Sequence, residues 1–398
     1  MDHEFDYLIV GGGMSADAAA KALCESDPGA SVGILGDEAH GPYERPPLTK
    51  GLWKEDKPAA EAVDLGTAAK GAELHLGRRA VSLDTTSRSV DDDQGDSWQY
   101  RRLLLATGAT PRLLPLSKHE RVIHFRTLDD YQSLRRLAPP GTHVAVVGSG
   151  FIGSEVAAAL IGAGCKVTMV FPGEEIGAGR FPDSLADFVT DYYRGKGVEM
   201  RTGVKVTGGE ASDTGVTLAL SDDTELAADV VVAGLGVTPN VLLADKAGLE
   251  IDDGIVVDSH LRTSEPDIWA AGDVANFHNP ALDRRLRVEH ENAAISMGHL
   301  AGLNMAGGDS VYDTLPFFYS DLFDLGYEAV GLLDNHLEVF EDWKVPMREG
   351  VVYYLDDGRV RGVLLWNTWG QVDAARQLIA RPGETDMESL RGRIPRAV

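Results

Sequence analysis

Apolar positions in the first part of the chain form short runs of strand length that alternate with alanine-rich stretches. Tyr7–Val10 and His143–Val147 are two such runs, and each leads through glycines into a stretch of helical composition. An apolar strand, a turn and a helix in this order are typical of a βαβ unit on a parallel sheet. The pattern therefore predicts an α/β fold with at least two such units.

The turns of these two units share a glycine pattern that favours nucleotide binding. The first turn is Gly11-Gly12-Gly13-Met14-Ser15-Ala16 and the second is Gly148-Ser149-Gly150-Phe151-Ile152-Gly153. Glycines let the backbone approach a pyrophosphate, and the helix N-terminus offers amide donors and a positive dipole end. The alternative is an ordinary strand–turn–helix. Two turns in one chain predict an enzyme that holds two dinucleotides face to face and passes electrons between them.

Carboxylates follow the second strand of each unit, where a ribose would lie. Asp37 follows the predicted strand Ser31–Leu35, and Glu174 and Glu175 follow the strand that ends at Phe171. A carboxylate accepts hydrogen bonds from ribose hydroxyls and repels a 2'-phosphate. The second turn is therefore predicted to prefer NADH over NADPH, although Arg180 argues in the opposite direction.

Further strands indicate how the chain is divided. From about residue 316 the sequence alternates apolar and polar positions, and Asp356-Asp357-Gly358 joins two strands as a hairpin turn. We predict two Rossmann-like dinucleotide-binding domains and a small α/β C-terminal domain. Their bounds are 1–113 with 244–315 for the first, 114–243 for the second and 316–398 for the third.

Composition excludes several classes of function. The 398 residues carry 62 acids against 37 basic residues, a net charge of -25, which disfavours nucleic acid and anionic membranes as partners. No apolar run approaches the ~20 residues of a membrane span, and no basic segment followed by an apolar one marks secretion. We expect a cytoplasmic protein without membrane insertion. No cluster of metal-ligand spacing is present, so we expect no metal.

Several motifs together resemble a known family, the FAD-dependent pyridine nucleotide oxidoreductases of glutathione-reductase-like fold. Within it the chain is similar to ferredoxin reductases of the putidaredoxin reductase type and to apoptosis-inducing factors. Besides the two glycine turns, the likeness rests on segments along nearly the whole chain: Pro42–Trp53, Ala106–Gly108, Ala271–Asp273, Arg287–His290, Tyr319–Leu322, Gly326–Gly331 and Leu365–Asn367.

The resemblance assigns the first turn to FAD and the second to NADH. It implies FAD contacts from Gly11, Gly13, Ser15, Asp37, Glu38, Arg45, Lys50, Ala80, Arg112, Asp273, His290, Glu291 and Tyr319. It implies nicotinamide-side contacts from Ser149, Gly150, Phe151, Ile152, Gly236, Glu289, His290, Glu328 and Asn367. Tyr319 stands where apoptosis-inducing factors have a tryptophan over the flavin.

Lys50 and Glu155 are the catalytic residues that the resemblance implies. A lysine close to flavin N5 needs a charge partner, and Glu155 matches the family's acidic partner. We expect the two to form an ion pair across the domain boundary. Without the likeness, Lys50 is a solvated lysine, His290 is a structural histidine, and Glu289 and Glu328 are surface acids.

The positions of the cysteines restrict which reactions of this superfamily are expected. Disulfide reductases of this superfamily carry a redox cysteine on the segment facing the flavin, but here the Tyr43–Lys50 stretch contains none. Cys24 and Cys165 fall in the first helix and before a strand of the second domain, where buried, inert thiols are expected. We therefore do not expect activities that use a flavin-proximal thiol.

The predicted function is transfer of hydride from NADH to FAD, then of electrons to a one-electron acceptor such as a [2Fe-2S] ferredoxin, or to a quinone. An NADH-responsive protein like apoptosis-inducing factor, with slow turnover and a conformational or oligomeric output, is the alternative. Monodehydroascorbate reduction is a third. The sequence leaves open whether the protein forms a homodimer. An acidic ferredoxin needs a basic docking patch, and the candidates, each equally a solvated face, are Arg284-Arg285-Arg287, Arg78-Arg79 and Arg101-Arg102.

Overall fold

A computed structural model of the protein describes residues 1–54 and 59–395. In chain order its strands are β1 Asp2–Val10, β2 Val32–Gly36, β3 Glu73–Leu76, β4 Ala80–Asp84, β5 Ser89–Asp92, β6 Ser97–Leu105, β7 Ala109–Pro111, β8 Val122–His124, β9 His143–Val147, β10 Lys166–Val170, β11 Val198–Arg201, β12 Val206–Ser212, β13 Gly215–Leu220, β14 Glu225–Ala228, β15 Val230–Ala233, β16 Val237–Pro239, β17 Ile255–Val256, β18 Ile268–Ala270, β19 Ala275–Asn279, β20 Arg284–Leu286, β21 Phe317–Leu322, β22 Leu325–Gly331, β23 Glu338–Val345, β24 Glu349–Asp356 and β25 Arg359–Trp366.

The α-helices are α1 Met14–Ser26, α2 Ala59–Val63, α3 Leu128–Leu137, α4 Phe151–Gly162, α5 Asp183–Gly195, α6 Leu242–Lys246, α7 Glu291–Met305 and α8 Val372–Ile379. Short 3-10 turns cover Pro46–Thr49, Gly51–Trp53, Thr67–Lys70, Gly272–Val274 and Met387–Leu390. None of the helices in residues 1–54 and 59–395 combines the length and the apolar character that a membrane crossing requires.

The described chain divides into two compact units. Unit 1 comprises Met1–Glu44, Ala60–Thr110 and Thr238–Pro316, and unit 2 comprises Arg45–Ala59, Pro111–Val237 and Phe317–Val398, so far as these residues are described. The segment that holds Lys50 thus belongs to unit 2, together with α4. The division into three domains stays a prediction.

Unit 1 is built on a sheet in the order β3-β2-β1-β6-β5-β4. Strand β18 also pairs with β6, at Leu103–Leu105, beyond the residues that pair with β5. The pairs of β1 with β2 and β6, of β2 with β3, and of β18 with β6 are parallel, while β4 and β5 add antiparallel strands. Strands such as Val32–Gly36 are buried throughout, which explains their nearly continuous apolar sequence.

Helices α1 and α7 of unit 1 pack closely because small residues line their contact. A Cβ at Gly298 would lie 2.2 Å from the carbonyl oxygen of Ser15, and one at Gly302 would lie 2.6 Å from that of Ala19. Any larger residue at either glycine would push the helices apart. This contact holds the first glycine turn, at the start of α1, in a fixed place on the unit.

Unit 2 contains a parallel sheet in the order β11-β10-β9-β15-β8 and a three-stranded antiparallel sheet β12-β13-β14. Parallel strands with helices between them, in both units, confirm the predicted α/β class. Helix α3 begins with a capping box, in which the Thr127 hydroxyl accepts from the Asp130 backbone N–H and the Asp130 carboxylate accepts from that of Thr127.

The C-terminal part of unit 2 is an antiparallel sheet in the order β21-β22-β25-β24-β23. The predicted hairpin is confirmed: β24 and β25 are joined by Asp357 and Gly358, whose φ values of 46° and 69° both lie in the left-handed region. An Asp-Gly pair tolerates this conformation, which matches the twist of the two strands. Helix α8 packs on β22 and β25.

Candidate functional site

The first glycine turn, in unit 1, connects β1 to α1 with two kinds of glycine. Gly11 has φ of 123°, and a Cβ there would lie 2.0 Å from the carbonyl oxygen of Ala106, so the fold requires glycine. A Cβ at Gly13, the N-cap of α1, would meet nothing within 4 Å. Open space over a helix N-terminus is where a pyrophosphate would bind, so this turn fits a dinucleotide.

The second glycine turn, which connects β9 to α4 in unit 2, is built in a similar way. A Cβ at Gly148 (φ 113°) would lie 2.3 Å from the carbonyl oxygen of Gly234, and one at Gly153 would lie 2.1 Å from that of Gly148. A Cβ at Gly150, the N-cap of α4, would meet nothing within 4 Å. The backbone requires glycine at Gly11 in the first turn and at Gly148 and Gly153 in the second. One glycine of each turn, Gly13 or Gly150, leaves room for a ligand.

Side chains beside the second turn are aromatic and basic. Ser149 is partly exposed and Ile152 is 37% exposed at this surface. The Phe151 ring lies edge-on to Phe318, with centroids 4.7 Å apart, and the Arg180 guanidinium lies 4.3 Å above the Phe151 ring. This stacking on Phe151 holds the positive charge of Arg180 next to the second glycine turn.

Asp37 and Glu38 follow the carboxyl end of β2, where a carboxylate that binds ribose is expected. Arg79 donates from Nε to Asp37 Oδ2 at 3.0 Å, and the Tyr43 hydroxyl donates to Glu38 Oε2 at 2.6 Å. The hydrogen bond to Asp37 raises the pKa of Arg79. Sequence reasoning missed Arg79 as the partner of Asp37, because only the sheet brings residue 79 beside residue 37. Ala80 begins β4 next to this pair.

A third group of unit 1 residues surrounds the turn at Gly272-Asp273. A Cβ at Gly272 would lie 2.3 Å from the Ser15 hydroxyl, so Ser15 and this turn are neighbours. Burial lowers the pKa of His290 to about 4, against a smaller opposite effect of Asp273. The imidazole is therefore neutral at pH 7. Glu291 follows His290 as the first residue of α7.

Glu289 is held by an arginine of its own segment. Arg287 donates from Nη1 to Glu289 Oε1 at 2.7 Å and pairs through Nε with Asp253 at 3.3 Å. Burial lowers the pKa of Arg287, but the hydrogen bonds and charges of Glu289 and Asp253 together outweigh burial and raise the pKa overall. Glu289 thus keeps a fixed, exposed carboxylate in the segment between β20 and α7.

Arg112 and Gly236 lie side by side in unit 2. The backbone N–H of Arg112 donates to the Gly236 carbonyl at 3.0 Å. Gly236 has φ of 79°, and a Cβ there would meet nothing within 4 Å, so its surface is open. Arg45, also of unit 2, donates from its guanidinium to the Arg126 carbonyl at 3.1 Å.

Glu328 and Asn367 come together where β22 and β25 pair. The Asn367 amide is used at both ends: Oδ1 accepts from Gly326 N–H at 2.7 Å and Nδ2 donates to the Arg348 carbonyl at 2.8 Å. Glu328 Oε2 accepts from Gly370 N–H at 2.9 Å, and burial raises the pKa of Glu328. Asn367 therefore shapes this loop through its side chain.

The ion pair predicted for Lys50 and Glu155 is present, and both residues lie in unit 2. Lys50 Nζ is 2.9 Å from Glu155 Oε1, and the side chains are 14% and 4% exposed. The ammonium also lies 4.6 Å from the centroid of the Tyr319 ring. Their part in catalysis stays a prediction, as do the dinucleotide contacts described above.

Two hydroxyls that sequence reasoning did not single out complete this group. Thr49 donates to Glu155 Oε2 at 2.5 Å, and Ser320 donates to Glu155 Oε1 at 2.6 Å. The available signal was their position, since each is the immediate neighbour of a predicted residue, Lys50 or Tyr319.

The two cysteines are buried or partly buried. Cys24 lies in α1, Cys165 donates to the Ala138 carbonyl at 3.4 Å, and burial raises the pKa of both thiols. Both are therefore protonated and unreactive at neutral pH. Among residues 1–54 and 59–395, no group of three or more His, Cys, Asp or Glu could hold a metal ion.

Most arginines proposed for docking are bonded within unit 1. Arg285 donates to the carbonyls of Val257 and Asn276, and Arg287 to Asp253 and Glu289, as already described. The remaining pairs with acids are Arg78 with Asp92 and Asp96, Arg79 with Asp37, Arg101 with Asp6, and Arg102 with Asp267. Acids balance the charges of these arginines locally, except for Arg285, whose partners are carbonyls. Exposed Arg284 is therefore the strongest remaining candidate.

Comparisons with known proteins agree with this picture. The profile of the pyridine nucleotide-disulphide oxidoreductase family matches residues 5–298. The ferredoxin–NAD(+) reductase component of the anthranilate 1,2-dioxygenase system of Burkholderia cepacia is 33% identical over 390 residues, covering 96% of each chain. Apoptosis-inducing factor 1 of Dictyostelium discoideum, a mitochondrial protein, is 31% identical over 427 residues, which cover 96% of this chain and 80% of that protein.

A solved structure extends the likeness to three dimensions. The covalent putidaredoxin reductase–putidaredoxin complex contains a chain with a TM-score of 0.88 and 30% identity. The match covers 94% of this chain and 93% of that one.

Proposed function

Because this chain belongs to the pyridine nucleotide-disulphide oxidoreductase family and is an FAD-dependent NAD(P)H oxidoreductase, we propose that it passes electrons from NADH through FAD to a one-electron acceptor. The sequence-based predictions of family, enzyme class and the two cofactors are confirmed by these comparisons. The acceptor in the proposal is a [2Fe-2S] ferredoxin, and no redox-active disulfide takes part.

The observation that carries the proposal is the pair of glycine turns, each with one open glycine at a helix N-terminus. Gly13 and Gly150 would admit the two pyrophosphates, and the amides of α1 and α4 would bind them. FAD supplies the hydride acceptor and the ability to release single electrons when it is bound. The chain's task is to align two rings and hold charge near them.

Lys50, in the proposal, provides the charge. Its ammonium is fixed by Glu155 and by the face of Tyr319, and it would offset the negative charge that bound FAD gains on reduction. His290 would line the flavin ring as a neutral group, because burial lowers its pKa. Asp37 would bind the adenosine ribose of FAD in competition with its Arg79 partner.

NADH is the proposed donor because acids lie after β10. Glu174 Oε2 accepts from the Thr202 hydroxyl at 3.1 Å, and burial and Asp187 raise the pKa of Glu175. Glu174, held by Thr202, is the carboxylate best placed to repel a 2'-phosphate. Arg180 is engaged on the Phe151 ring, which reduces its availability to a phosphate.

The relatives support a ferredoxin as the acceptor. The Burkholderia cepacia protein is named as a ferredoxin reductase component, and the solved complex joins putidaredoxin reductase to putidaredoxin. Burial raises the pKa of both cysteine thiols, so neither is expected to accept electrons from the flavin. The proposal therefore passes the electrons to a one-electron acceptor.

The test of the acceptor uses protein reduced with one equivalent of NADH without oxygen and then mixed with a [2Fe-2S] ferredoxin, a quinone or a disulfide. We expect rapid ferredoxin reduction and no disulfide reduction, and a Cys24→Ser, Cys165→Ser variant should behave as the wild type does. Disulfide reduction that is lost in the double variant would contradict the thiol-independent route.

A second function is favoured by the match to apoptosis-inducing factor 1, which covers 96% of this chain. In this alternative, NADH produces a long-lived reduced complex and a change of conformation or oligomeric state. Size measurement by light scattering with and without NADH, combined with the decay rate of the reduced protein, separates the two. Slow decay with a change in mass favours the alternative, whereas fast turnover with ferredoxin at constant mass favours the reductase.

A further inference from the structure

The Glu155 carboxylate is held by donors from two other segments of unit 2. Glu155 lies on α4, Thr49 closes the 3-10 turn Pro46–Thr49, and Ser320 lies on β21. Oε1 accepts from Ser320 at 2.6 Å and pairs with Lys50 at 2.9 Å, while Oε2 accepts from Thr49 at 2.5 Å. A carboxylate with donors on both oxygens has a single favourable orientation.

The Thr49 hydroxyl donates to this carboxylate rather than to the backbone. A hydroxyl has one hydrogen, and Thr49 Oγ1 lies 2.5 Å from Glu155 Oε2 but 3.3 Å from the Pro46 carbonyl, so the short contact takes the hydrogen. Thr49 is 5% exposed and Ser320 is 0% exposed, so water does not replace them.

Strand β21 adds a second constraint on the same lysine. Tyr319 and Ser320 are neighbours on the strand, so their side chains leave it on opposite faces. Tyr319 offers its ring to the Lys50 ammonium at 4.6 Å, and Ser320 offers its hydroxyl to the partner of that ammonium. The position of one strand therefore controls both contacts of Lys50.

We propose that Thr49 and Ser320 are positioning residues that fix the Lys50 ammonium by orienting Glu155. The proposal rests on the proposed function only for the consequence in catalysis. Loss of either hydroxyl leaves a buried, charged oxygen with one donor fewer, and the carboxylate then turns toward other donors. Within residues 1–54 and 59–395 Thr49 is the sole hydrogen-bond donor to Oε2, so its loss should have the larger effect.

The direct test is the chemical reactivity of the Lys50 amine in the full-length protein without NADH. Trace labelling with acetic anhydride, read by mass spectrometry, compares Lys50 with exposed Lys118 as an internal reference. We expect slow labelling of Lys50 in the wild type and severalfold faster labelling in Thr49→Val and Ser320→Ala. Thr49→Ser, which keeps the hydroxyl, should restore slow labelling.

A matched control separates this effect from loss of any buried hydroxyl. Thr190 is 2% exposed and its hydroxyl accepts from Ile176 N–H and donates to the Ala186 carbonyl, away from Glu155. Thr190→Val should destabilise unit 2 without changing the labelling of Lys50. Thermal unfolding of each variant checks that it is folded.

The catalytic consequence is tested by the rate of flavin reduction by NADH in a double-mutant cycle. As a single substitution, Thr49→Val should slow reduction by about tenfold, the effect of one charged hydrogen bond. Added to Lys50→Ala, it should have no further effect on the rate. The flavin midpoint potential should become more negative in Thr49→Val and return in Thr49→Ser, because a displaced cation stabilises the reduced form less.

The outcomes distinguish the positioning role of Thr49 and Ser320 from the catalytic role of Lys50. Unchanged Lys50 labelling in both Thr49→Val and Ser320→Ala overturns the positioning role. Equal slowing by Thr49→Val with and without Lys50 overturns it as well, since the effect would not pass through the lysine. Faster labelling together with an unchanged reduction rate in Lys50→Ala supports the positioning role and contradicts the catalytic role of Lys50 in the proposed function.

Discussion

Lys50 Nζ lies 2.9 Å from Glu155 Oε1 in a setting where the two side chains are only 14% and 4% exposed. Charges removed from water in this way are retained at a cost in desolvation, which close geometry and extra hydrogen bonds must offset. The hydroxyls of Thr49 and Ser320 provide those bonds. A group assembled from three distant segments at such a cost is expected to have a function beyond stability.

Removing the lysine should therefore affect both stability and reaction. Lys50→Ala leaves Glu155 buried without its cation, which should lower the free energy of unfolding by about 3 kcal/mol. Urea unfolding measures the change, and stopped-flow reduction by NADH should be slowed. The double variant Lys50→Ala, Glu155→Gln should recover stability but not the rate. Recovery of both would contradict the catalytic role.

Two glycines of the second turn should respond differently to alanine. Gly150→Ala has room for its Cβ and should fold normally, but the methyl group occupies the space proposed for the NADH pyrophosphate, raising KM for NADH roughly tenfold or more. Gly153→Ala would place its Cβ 2.1 Å from the Gly148 carbonyl oxygen and should destabilise the fold. Steady-state kinetics and thermal melting check the pair. An unchanged KM in Gly150→Ala would remove the dinucleotide from this turn.

The lowered pKa of His290 predicts that the folded protein becomes less stable in mild acid. Its pKa is lowered from 6.5 to about 4 by burial, so between these values the unfolded chain binds a proton that the folded chain does not. The free energy of unfolding should therefore fall as the pH decreases from 6.5 to 4, by at most about 1.4 kcal/mol per pH unit from this group. Urea titrations at several pH values measure the slope. His290→Gln should show a smaller slope, and an identical slope would contradict the assignment.

Choice of nicotinamide cofactor should depend on Glu174. The wild type should have a higher kcat/KM with NADH than with NADPH, and Glu174→Gln should raise kcat/KM for NADPH by roughly tenfold, the effect of removing one like charge next to the phosphate. Glu388→Gln, an exposed acid of a distant 3-10 turn, serves as the control. Equal or better use of NADPH by the wild type would contradict the proposed preference.

Ferredoxin reduction should respond to salt if docking is electrostatic. An acidic ferredoxin approaches a chain with a net charge of -25, so a local cation such as Arg284 must guide it. The rate at limiting ferredoxin should fall as salt increases, and Arg284→Gln should lower it further than Arg285→Gln, because Arg285 is bonded to backbone carbonyls. A rate that does not depend on salt would exclude such docking.

Much of the architecture could be predicted because it depends on local signals. The strand–glycine–helix order at Gly11 and Gly148 and the Asp357-Gly358 hairpin are each contained in a few consecutive residues. The Lys50 to Glu155 pair followed from a family likeness, since nothing local in the sequence connects residue 50 to residue 155.

The hydroxyl contacts of Thr49 and Ser320 had no comparable signal. Serine and threonine are frequent in every environment, and only the packing of a 3-10 turn, a helix and a strand reveals which hydroxyl meets a carboxylate. The pairing of Arg79 with Asp37 also depends on the sheet, whose register brings the two segments together. Long-range contacts of polar side chains are where sequence patterns carry the least information.

The central claim is that this chain carries FAD and reduces it with NADH. Purified protein should show the absorption bands of oxidised flavin, and one equivalent of NADH added without oxygen should bleach them, with slower bleaching in Lys50→Ala. A protein that contains no flavin and binds none when FAD is added, or whose bound flavin is not reduced by NADH, would contradict the account.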